Sequence, residues 1–300
     1  MTTIAWIGLG NMGSHMSSHL AAAGHSVIGF DINPAAMETA RSRGVKTASS
    51  VSEAVSEAEV VFTMLPKGTH VRSVVEEVWE AANPGTLIID SSTIDQATSI
   101  ELHRESSQRG FQFVDAPVSG GVSGAENATL AIMTGGAEEA VEAAEPYLQP
   151  LSSRLFRAGG PGMGLAAKIA NNMMLMISMM ASAEGSQLAD SLGLDPQVFW
   201  DIVSASSGNS WSHQTWYPVP GIVDSAAANR NFEPGFTALL ALKDVSLAVE
   251  AGKAKNLNLP AANLASKQLK ELVDSGLAEK DCTLIAKFVN PDGSLKGWTE

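Results

Sequence analysis

The sequence is poor in cysteine and in positive charge. Its one cysteine, Cys282, can form neither an internal disulfide nor a cysteine-based metal site, and a lone thiol is typical of proteins in a reducing compartment. The 19 lysine and arginine residues are outnumbered by 32 aspartate and glutamate residues, which gives a net charge of −13. Because a surface of that sign repels phosphate backbones, we predict that the protein does not bind nucleic acid.

The sequence also lacks a segment that could cross a membrane. Its most apolar stretch, Met173–Ala183, is interrupted by Ser178 and Ser182 and ends at Glu184, so it is too short to span a bilayer. The first strand is predicted to start at Thr3, which leaves no room ahead of it for a targeting peptide. We therefore expect a cytoplasmic protein with no membrane partner.

Two histidines and a group of methionines have plain structural interpretations. His15 and His19 are spaced as metal ligands on a helix can be, but no third ligand lies near them in the sequence, and we predict no metal site. Five methionines lie between Met173 and Met180, and there we expect methionine to fill an irregular buried core.

The 300 residues suffice for two domains, and the two halves of the chain differ in pattern. In the first half, short apolar runs alternate with segments of helical spacing. Such alternation predicts a mostly parallel sheet with helices on both faces. The predicted strands are Ile4–Gly8, Ser26–Phe30, Val60–Leu65, Leu87–Ile89, Phe111–Val114, Leu130–Thr134 and Leu155–Ala158.

The strand pattern fades after the glycine-rich segment 159–162, and helices are predicted from there on. We therefore predict an α/β domain at residues 1–162 and an all-helical domain at residues 163–300. The predicted helices of the second domain are Leu165–Leu192, Pro196–Ala205, Leu239–Lys255, Ala261–Asp274 and Asp281–Phe288.

A glycine motif between the first strand and the first helix indicates a dinucleotide site. In Gly8-Leu9-Gly10-Asn11-Met12-Gly13, the first glycine permits a tight turn, the second lets the backbone approach a pyrophosphate, and the third lets helix and strand pack closely. The next strand is followed by Asp31, whose carboxylate can accept hydrogen bonds from a ribose and would repel a 2′-phosphate. The sequence thus predicts a Rossmann-type, doubly wound domain that binds NAD and not NADP. The alternative is a plain glycine turn with a surface aspartate.

A lysine in apolar surroundings is the strongest candidate for catalysis. Lys168 lies near the start of the long predicted helix, and Asn172 follows four residues later on the same helical face. Burial lowers the pKa of a lysine and so makes it a usable base for a hydroxyl proton, while an amide can hold the same oxygen. The alternative is a lysine whose ammonium group reaches solvent along an apolar surface.

Three further segments follow strands, where ligands bind in such sheets. In Asp115–Gly121, the consecutive backbone N–H groups of Ser119, Gly120 and Gly121 would suit a carboxylate. Leu65-Pro66 and Ser92-Thr93 follow two neighbouring strands. Each of these segments could instead be an ordinary turn.

Four motifs occur in the order seen in the β-hydroxyacid dehydrogenase family, which the sequence resembles from the first strand to about Asp292. They are Gly8–Gly13, Asp115–Gly121, Gly162–Asn172 and Leu242-Lys243-Asp244. Two narrower segments, Ser206–Trp211 and Pro218–Ile222, are similar to the branch of the family that acts on 3-hydroxyisobutyrate. One departure is Ala128-Thr129-Leu130, where relatives usually carry Gly-Thr-Leu.

The resemblance implies an activity and a role for each candidate residue. The protein would oxidise a small β-hydroxyacid with NAD, with Lys168 as catalytic acid/base and Asn172 as its partner. For 3-hydroxyisobutyrate the product would be methylmalonate semialdehyde, a step of valine catabolism. The long helix would also contribute to the contact of a homodimer or homotetramer. Trp211 and Phe236 either wall the substrate pocket or belong to the core. The implied substrate residues are Ser119, Gly120, Gly121 and Asn172, and the implied cofactor residues besides the glycine motif and Asp31 are Leu65, Pro66, His70, Thr93 and Lys243.

Two other classes of function remain open. One is a sibling reductase that acts on another semialdehyde, such as tartronate or succinic semialdehyde, or on an imine. The Ser119 loop and Lys168 argue against an imine reductase, because those enzymes often lack the lysine. The other is a non-catalytic NAD-sensing protein, which would have no need for the pair formed by Lys168 and Asn172.

Overall fold

In the computed structural model, which describes residues 1–299, the chain forms two compact units. The first comprises Met1–Lys168 and the second begins at Ile169. None of the helices within residues 1–299 combines the length and apolar character that a membrane span requires.

The first unit is built on a nine-stranded sheet in the order β3-β2-β1-β4-β5-β6-β8-β7, with β9 beside β8. Its strands pair in parallel except that β8 runs antiparallel to β6 and β7. This confirms the predicted doubly wound, mostly parallel sheet. The strands are β1 (Thr3–Ile7), β2 (Ser26–Phe30), β3 (Lys46–Thr47), β4 (Val60–Thr63), β5 (Leu87–Asp90), β6 (Gln112–Asp115), β7 (Val118–Ser119), β8 (Leu130–Gly136) and β9 (Ser152–Gly159).

Helices cover both faces of this sheet, because alternate strand residues point to opposite sides. Trp6 and Phe62 face a core shared with α1, α6 and α7, whereas Ala5 and Val61 face a core shared with α3, α4 and α5. The helices are α1 (Gly13–Ala22), α2 (Pro34–Ser42), α3 (Val51–Val55), α4 (Gly68–Ala81), α5 (Gln96–Gln108), α6 (Gly121–Glu126) and α7 (Glu138–Leu148), followed by a 3₁₀ turn at Gln149–Leu151.

The second unit is helical, as predicted. Met176, Met179 and Met180 of its longest helix are buried in the core as expected, but Met174 is exposed. The helices are α8 (Met163–Ser191), which begins in the first unit, α9 (Pro196–Ser204), α10 (Trp211–Thr215), α11 (Ala238–Ala254) and α12 (Pro260–Leu272), with 3₁₀ segments at Ala227–Arg230 and Cys282–Phe288 and a π turn at Val273–Leu277.

Helix α7 and the segment after α12 are among the elements that differ from the sequence-based expectation, as are the short elements β3, β7, α3, α6 and α10. No helix is predicted over α7, which contains Pro146 in its last turn. The segment predicted as a helix over Asp281–Phe288 is a 3₁₀ helix, and the Asp281 carboxylate caps it by accepting from the backbone N–H of Thr283.

Candidate active site

The loop between β1 and α1 has the backbone geometry that the glycine motif predicts. Gly8 has a φ of +98°, and a Cβ at that residue would lie 2.3 Å from the carbonyl oxygen of Met64. A Cβ on Gly13 would lie 2.0 Å from the carbonyl oxygen of Gly8. Among the described residues, no atom lies within 4 Å of a Cβ placed on Gly10. The fold itself therefore requires Gly8 and Gly13, whereas the space at Gly10 is open to a ligand.

The start of α1 is suited to an anion. Within residues 1–299, the side chain of its N-cap residue, Met12, makes no hydrogen bond to the first turn. That turn contains no acidic residue. The backbone N–H groups of Ser14, His15 and Met16 already donate to the carbonyls of Gly10 and Met12, which leaves the N–H groups just ahead of them at the end of the loop. Uncapped N–H groups at a helix start attract phosphate through the helix dipole. These residues therefore fit a dinucleotide pyrophosphate.

Asp31 is attached to the glycine loop at the end of β2. Its Oδ2 accepts a hydrogen bond from the backbone N–H of Leu9 at 2.7 Å, and its Oδ1 accepts from the N–H of Asn33 at 2.8 Å. A carboxylate accepts about four hydrogen bonds, so Asp31 retains capacity for the two hydroxyls of a ribose. These bonds hold the Asp31 carboxylate beside the glycine loop, where it is predicted to bind the ribose of the cofactor.

A buried carboxyl, which the sequence patterns do not single out, joins the ends of β4 and β5. Asp90 Oδ1 accepts from Thr63 Oγ1 at 2.8 Å and from the N–H of Ser92 at 3.0 Å. The Oγ of Ser92 in turn accepts from the N–H of Leu65 at 2.8 Å. Burial raises the pKa of the Asp90 carboxyl, because desolvation disfavours its charged form. The network fixes the backbone of Leu65 relative to the neighbouring strand.

The other predicted cofactor residues of the first unit lie beside these strand ends. Pro66 is exposed directly after Leu65, and Thr93 is half-buried directly after Ser92. His70 is exposed in the first turn of α4.

The predicted substrate loop contains a turn that glycine alone adopts readily. Ser119 ends the short strand β7, and Gly120 and Gly121 follow with φ values of +137° and +63°. Two consecutive residues with positive φ strongly favour glycine. Gly120 is exposed and directly precedes α6.

The start of α8 is capped by a carboxylate from strand β6. Asp115 Oδ1 accepts from the N–H of Gly162 at 2.9 Å, and Asp115 Oδ2 accepts from the N–H of Leu165 at 3.0 Å. The ring Nε2 of His103 lies 2.7 Å from Asp115 Oδ1. Asp115 is part of a predicted motif, but its partners lie too far along the chain for sequence spacing to indicate them.

The predicted catalytic pair lies on α8, four residues apart. Lys168 is 7 % exposed and Asn172 is 3 % exposed. Asn172 Nδ2 donates to Asp244 Oδ2 at 2.5 Å, and Asn172 Oδ1 accepts from Asn171 Nδ2 at 3.1 Å. The amide of Asn172 is therefore held in one orientation.

The partner of Asn172 also contacts a predicted cofactor residue. Asp244 is buried on α11, and its Oδ1 lies 3.1 Å from Lys243 Nζ in an ion pair. Asp244 thus connects Asn172 with Lys243. No role for Asp244 is predicted from the sequence, although an acid at a buried position of a helix is a signal that could have pointed to it.

The two aromatic residues predicted for the pocket wall share an aromatic neighbour. Trp211 is 52 % exposed, and its ring centroid lies 5.0 Å from that of Trp216. Trp216 stacks on Phe236 with centroids 6.0 Å apart. Phe236 is half-buried and packs against the helical core, whereas Trp211 presents an open face.

Two models of known protein families together match most of the chain. The family model described as the NAD binding domain of 6-phosphogluconate dehydrogenase matches residues 3–160. The model described as NAD-binding of NADP-dependent 3-hydroxyisobutyrate dehydrogenase matches residues 162–289.

Within residues 1–299, no group of three or more His, Cys, Asp or Glu side chains is arranged to hold a metal ion.

Two curated relatives and one solved structure are similar to the chain over most of their length. The probable 3-hydroxyisobutyrate dehydrogenase of Mycobacterium tuberculosis is 46% identical over 266 residues, which cover 89% of this chain and 90% of the relative. The NAD-dependent L-serine dehydrogenase of Pseudomonas aeruginosa is 36% identical, with 97% and 99% covered. A solved structure of the M. tuberculosis 3-hydroxyisobutyrate dehydrogenase with L-serine matches with a TM-score of 0.92 at 43% identity, covering 97% of this chain and 99% of that one.

The fold, the glycine loop and these matches define an NAD-dependent oxidoreductase. The chain belongs to the β-hydroxyacid dehydrogenase family, which includes the 3-hydroxyisobutyrate dehydrogenases. This confirms the resemblance seen in the motifs and NAD as the cofactor. The roles of the individual residues stay predictions.

Proposed function

We propose that the protein oxidises 3-hydroxyisobutyrate to methylmalonate semialdehyde, a step of valine catabolism. The observation that carries the proposal is the buried Lys168, one helical turn before the buried amide of Asn172. The 46% identical M. tuberculosis relative supports the choice of substrate.

Lys168 is proposed as the general acid and base. Oxidation of an alcohol requires a group that takes the hydroxyl proton as the carbon loses its hydride. Neutral Lys168 takes that proton and, in the reverse direction, returns it. Asn172 holds the same oxygen, because its bond to Asp244 uses one N–H and leaves the second N–H for the substrate.

The substrate carboxylate needs local donors, because the net charge of −13 gives it no general attraction. We assign this role to the Ser119 hydroxyl and to the backbone N–H groups of Gly120 and Gly121. Trp211 and Phe236 would wall the pocket around the methyl branch, with Trp216 supporting both rings.

NAD supplies the hydride acceptor when it is bound. The glycine loop and the start of α1 would hold its pyrophosphate, and Asp31 would hold its adenosine ribose. The remaining residues proposed to line the cofactor are Leu65, Pro66, His70, Thr93 and Lys243.

Assembly and location are parts of the same proposal. Met174 and Leu188 of α8, and Leu192 directly after it, are exposed apolar side chains of the kind found in subunit contacts, which supports a homodimer or homotetramer. The single thiol of Cys282, which is buried, suits a cytoplasmic location. We retain residues 1–162 and 163–300 as the proposed domains. The second would supply the oligomer contact and Lys168, which is also the last residue of the first compact unit.

A second candidate is oxidation of L-serine. It is favoured by the P. aeruginosa relative named as an L-serine dehydrogenase and by the M. tuberculosis structure with L-serine. Serine is also a β-hydroxyacid and carries an amino group where 3-hydroxyisobutyrate carries a methyl group. The two candidates therefore share the Lys168 chemistry and differ in the pocket.

Initial rates of NADH formation across a panel of hydroxyacids test both candidates. We expect the highest kcat/KM with 3-hydroxyisobutyrate and slower turnover of 3-hydroxypropionate and L-serine, because one methyl group discriminates by roughly 10- to 200-fold. Lactate should fail, since its hydroxyl lies one bond nearer the carboxylate and a misplacement of about 1 Å costs about 10²-fold.

Each other ranking has a definite meaning. L-serine as the best substrate would select the second candidate, and glycerate or 4-hydroxybutyrate would indicate a sibling activity. Lactate as the best substrate would contradict the proposed pocket. No turnover of any of these acids, with NAD still bound, would favour a non-catalytic NAD-sensing protein.

A further inference from the structure

We propose that Asp115 is a positioning residue for Lys168, because its buried carboxylate fixes the first turn of α8 to strand β6 beside the substrate loop. The inference rests on the proposed function, since it assumes that Lys168 is the acid/base. Asp115 itself is not placed at the substrate.

Asp115 acts as the cap that α8 does not carry in its own sequence. The residue before the helix, Gly162, has no side chain and has a φ of +77°. An N-cap aspartate would accept from the N–H of the third helical residue, which here is Leu165. Asp115, 47 residues before Gly162, makes that bond at 3.0 Å and also accepts from Gly162 itself.

Two glycines allow the backbone to close around this carboxylate. A Cβ on Gly135 of β8 would lie 2.7 Å from both carboxylate oxygens of Asp115. A Cβ on Gly164 of α8 would lie 2.3 Å from the carbonyl oxygen of Met133 and 2.8 Å from Asp115 Oδ2. The helix start therefore has no room to move toward β6 or β8.

His103 completes the surroundings of the carboxylate. Its Nε2 lies 2.7 Å from Asp115 Oδ1, and both side chains are buried. The carboxylate thus has three close nitrogen neighbours on two elements, α5 and the start of α8. A carboxylate is also stabilised by the positive end of a helix dipole. Its orientation is consequently fixed.

Asp115 is close along the chain or the helix to both parts of the predicted substrate site, the catalytic lysine and the Ser119 loop. Lys168 lies three residues beyond Leu165, about 4.5 Å further along the helix axis. Ser119 lies four residues beyond Asp115, at the end of β7. One carboxylate therefore sets the position of the backbone that bears the base and of the loop that would bind the substrate carboxylate.

The first test is Asp115→Asn. In the unmodified protein, the N–H groups of Gly162 and Leu165 each donate to a separate carboxylate oxygen of Asp115. An asparagine has only one side-chain oxygen for these two N–H groups, so we expect the helix start to shift. We expect kcat to fall about 10- to 100-fold, because a misplacement of about 1 Å has an effect of that order. The Kd for NAD should stay within about twofold, because β4 and β5 separate β6 from the strand that carries the glycine loop.

A matched control makes the same substitution in another capping aspartate. Asp195 caps α9 by accepting from the N–H groups of Gln197 and Val198 and lies outside the proposed site. Asp195→Asn should leave kcat and the Kd for NAD unchanged. A kcat for Asp115→Asn equal to that of this control would overturn the inference.

A second pair of variants leaves Asp115 intact and decides the matter if Asp115→Asn does not fold. Gly164→Ala forces the first turn of α8 away from Met133, whereas Gly160→Ala meets no described atom within 4 Å. We expect kcat to fall at least tenfold in Gly164→Ala only, which is about 1.4 kcal/mol. Equal values of kcat in the two variants would contradict the proposal.

A double-mutant cycle with Lys168→Ala distinguishes an effect of Asp115 that acts through Lys168 from a general loss of structure. If Asp115 acts through Lys168, then Asp115→Asn lowers the small residual turnover of Lys168→Ala by less than about threefold. The same fold loss in both backgrounds would show a merely structural role and overturn the inference. Lys168→Ala with more than half the normal kcat would instead refute the proposed function, and the two failures are thereby distinguished.

Discussion

Helices α1 and α8 differ in what lies at their first turns. Gly8, five residues before α1, has a φ of +98°, and Gly162, directly before α8, has a φ of +77°. Within residues 1–299 the side chain of Met12 makes no cap bond to α1, and Gly162 has no side chain that could cap α8. The first turn of α1 faces an open loop, whereas that of α8 is occupied by the Asp115 carboxylate. An open helix start can bind the anion of a ligand. A start closed by an internal anion can hold a side chain such as Lys168 in place.

Among the substitutions at the open start of α1, those at Gly13 and Gly10 are expected to have the largest effects. Gly13→Ala places a Cβ 2.0 Å from the carbonyl oxygen of Gly8, so we expect a loss of about 1–3 kcal/mol in the free energy of unfolding. Gly10→Ala should change that free energy by less than about 0.5 kcal/mol. It should nevertheless raise the Kd for NAD about tenfold if the pyrophosphate binds at this loop, because the added Cβ would occupy the space of the pyrophosphate. Denaturant titration and NAD titration measure the two effects.

The opposite pattern would break the comparison. If Gly10→Ala binds NAD as tightly as the unmodified protein, the open start of α1 is not where the pyrophosphate lies.

A smaller effect is expected at Asp31, beside the same loop. Asp31→Ser removes the carboxylate that would accept from the ribose hydroxyls, and we expect KM for NAD to rise about tenfold. The preference for NAD over NADP should narrow, because the repulsion of a 2′-phosphate is lost. The measurement is kcat/KM with both cofactors. An unmodified enzyme that already prefers NADP would show that Asp31 does not select the cofactor.

The smallest effect concerns a turn away from both helix starts. Ala128 has a φ of +53°, although it carries a Cβ. That conformation costs a residue with a Cβ about 1–2 kcal/mol, which exceeds the entropy that a glycine loses, about 0.4–1 kcal/mol. Ala128→Gly should therefore raise the free energy of unfolding by up to about 1 kcal/mol and leave kcat unchanged.

Ala143 supplies the control for this turn, because it is exposed inside helix α7, where the backbone has ordinary helical angles. Ala143→Gly should lower the free energy of unfolding by about 0.5–1 kcal/mol. Equal changes in the two variants would mean that the backbone of Ala128 is not strained.

The features that follow from local spacing are predictable from the sequence. The glycine motif, the alternation of strands and helices, and the shared helical face of Lys168 and Asn172 depend only on neighbours in the chain. The partners of these residues do not. Asp115 reaches Gly162 across 47 residues, and Asp244 reaches Asn172 across 72, so only the folded chain brings them together. The family motifs contain both aspartates but give no reason for them.

The most direct test is made on Lys168→Ala. If NAD binds at the start of α1 and the lysine near the start of α8 transfers the proton, one substitution should separate binding from turnover. We expect the Kd for NAD to stay within about twofold, while kcat with 3-hydroxyisobutyrate falls about 10²- to 10⁴-fold. A variant that keeps more than half of the normal kcat would contradict the assignment of Lys168 as the acid/base.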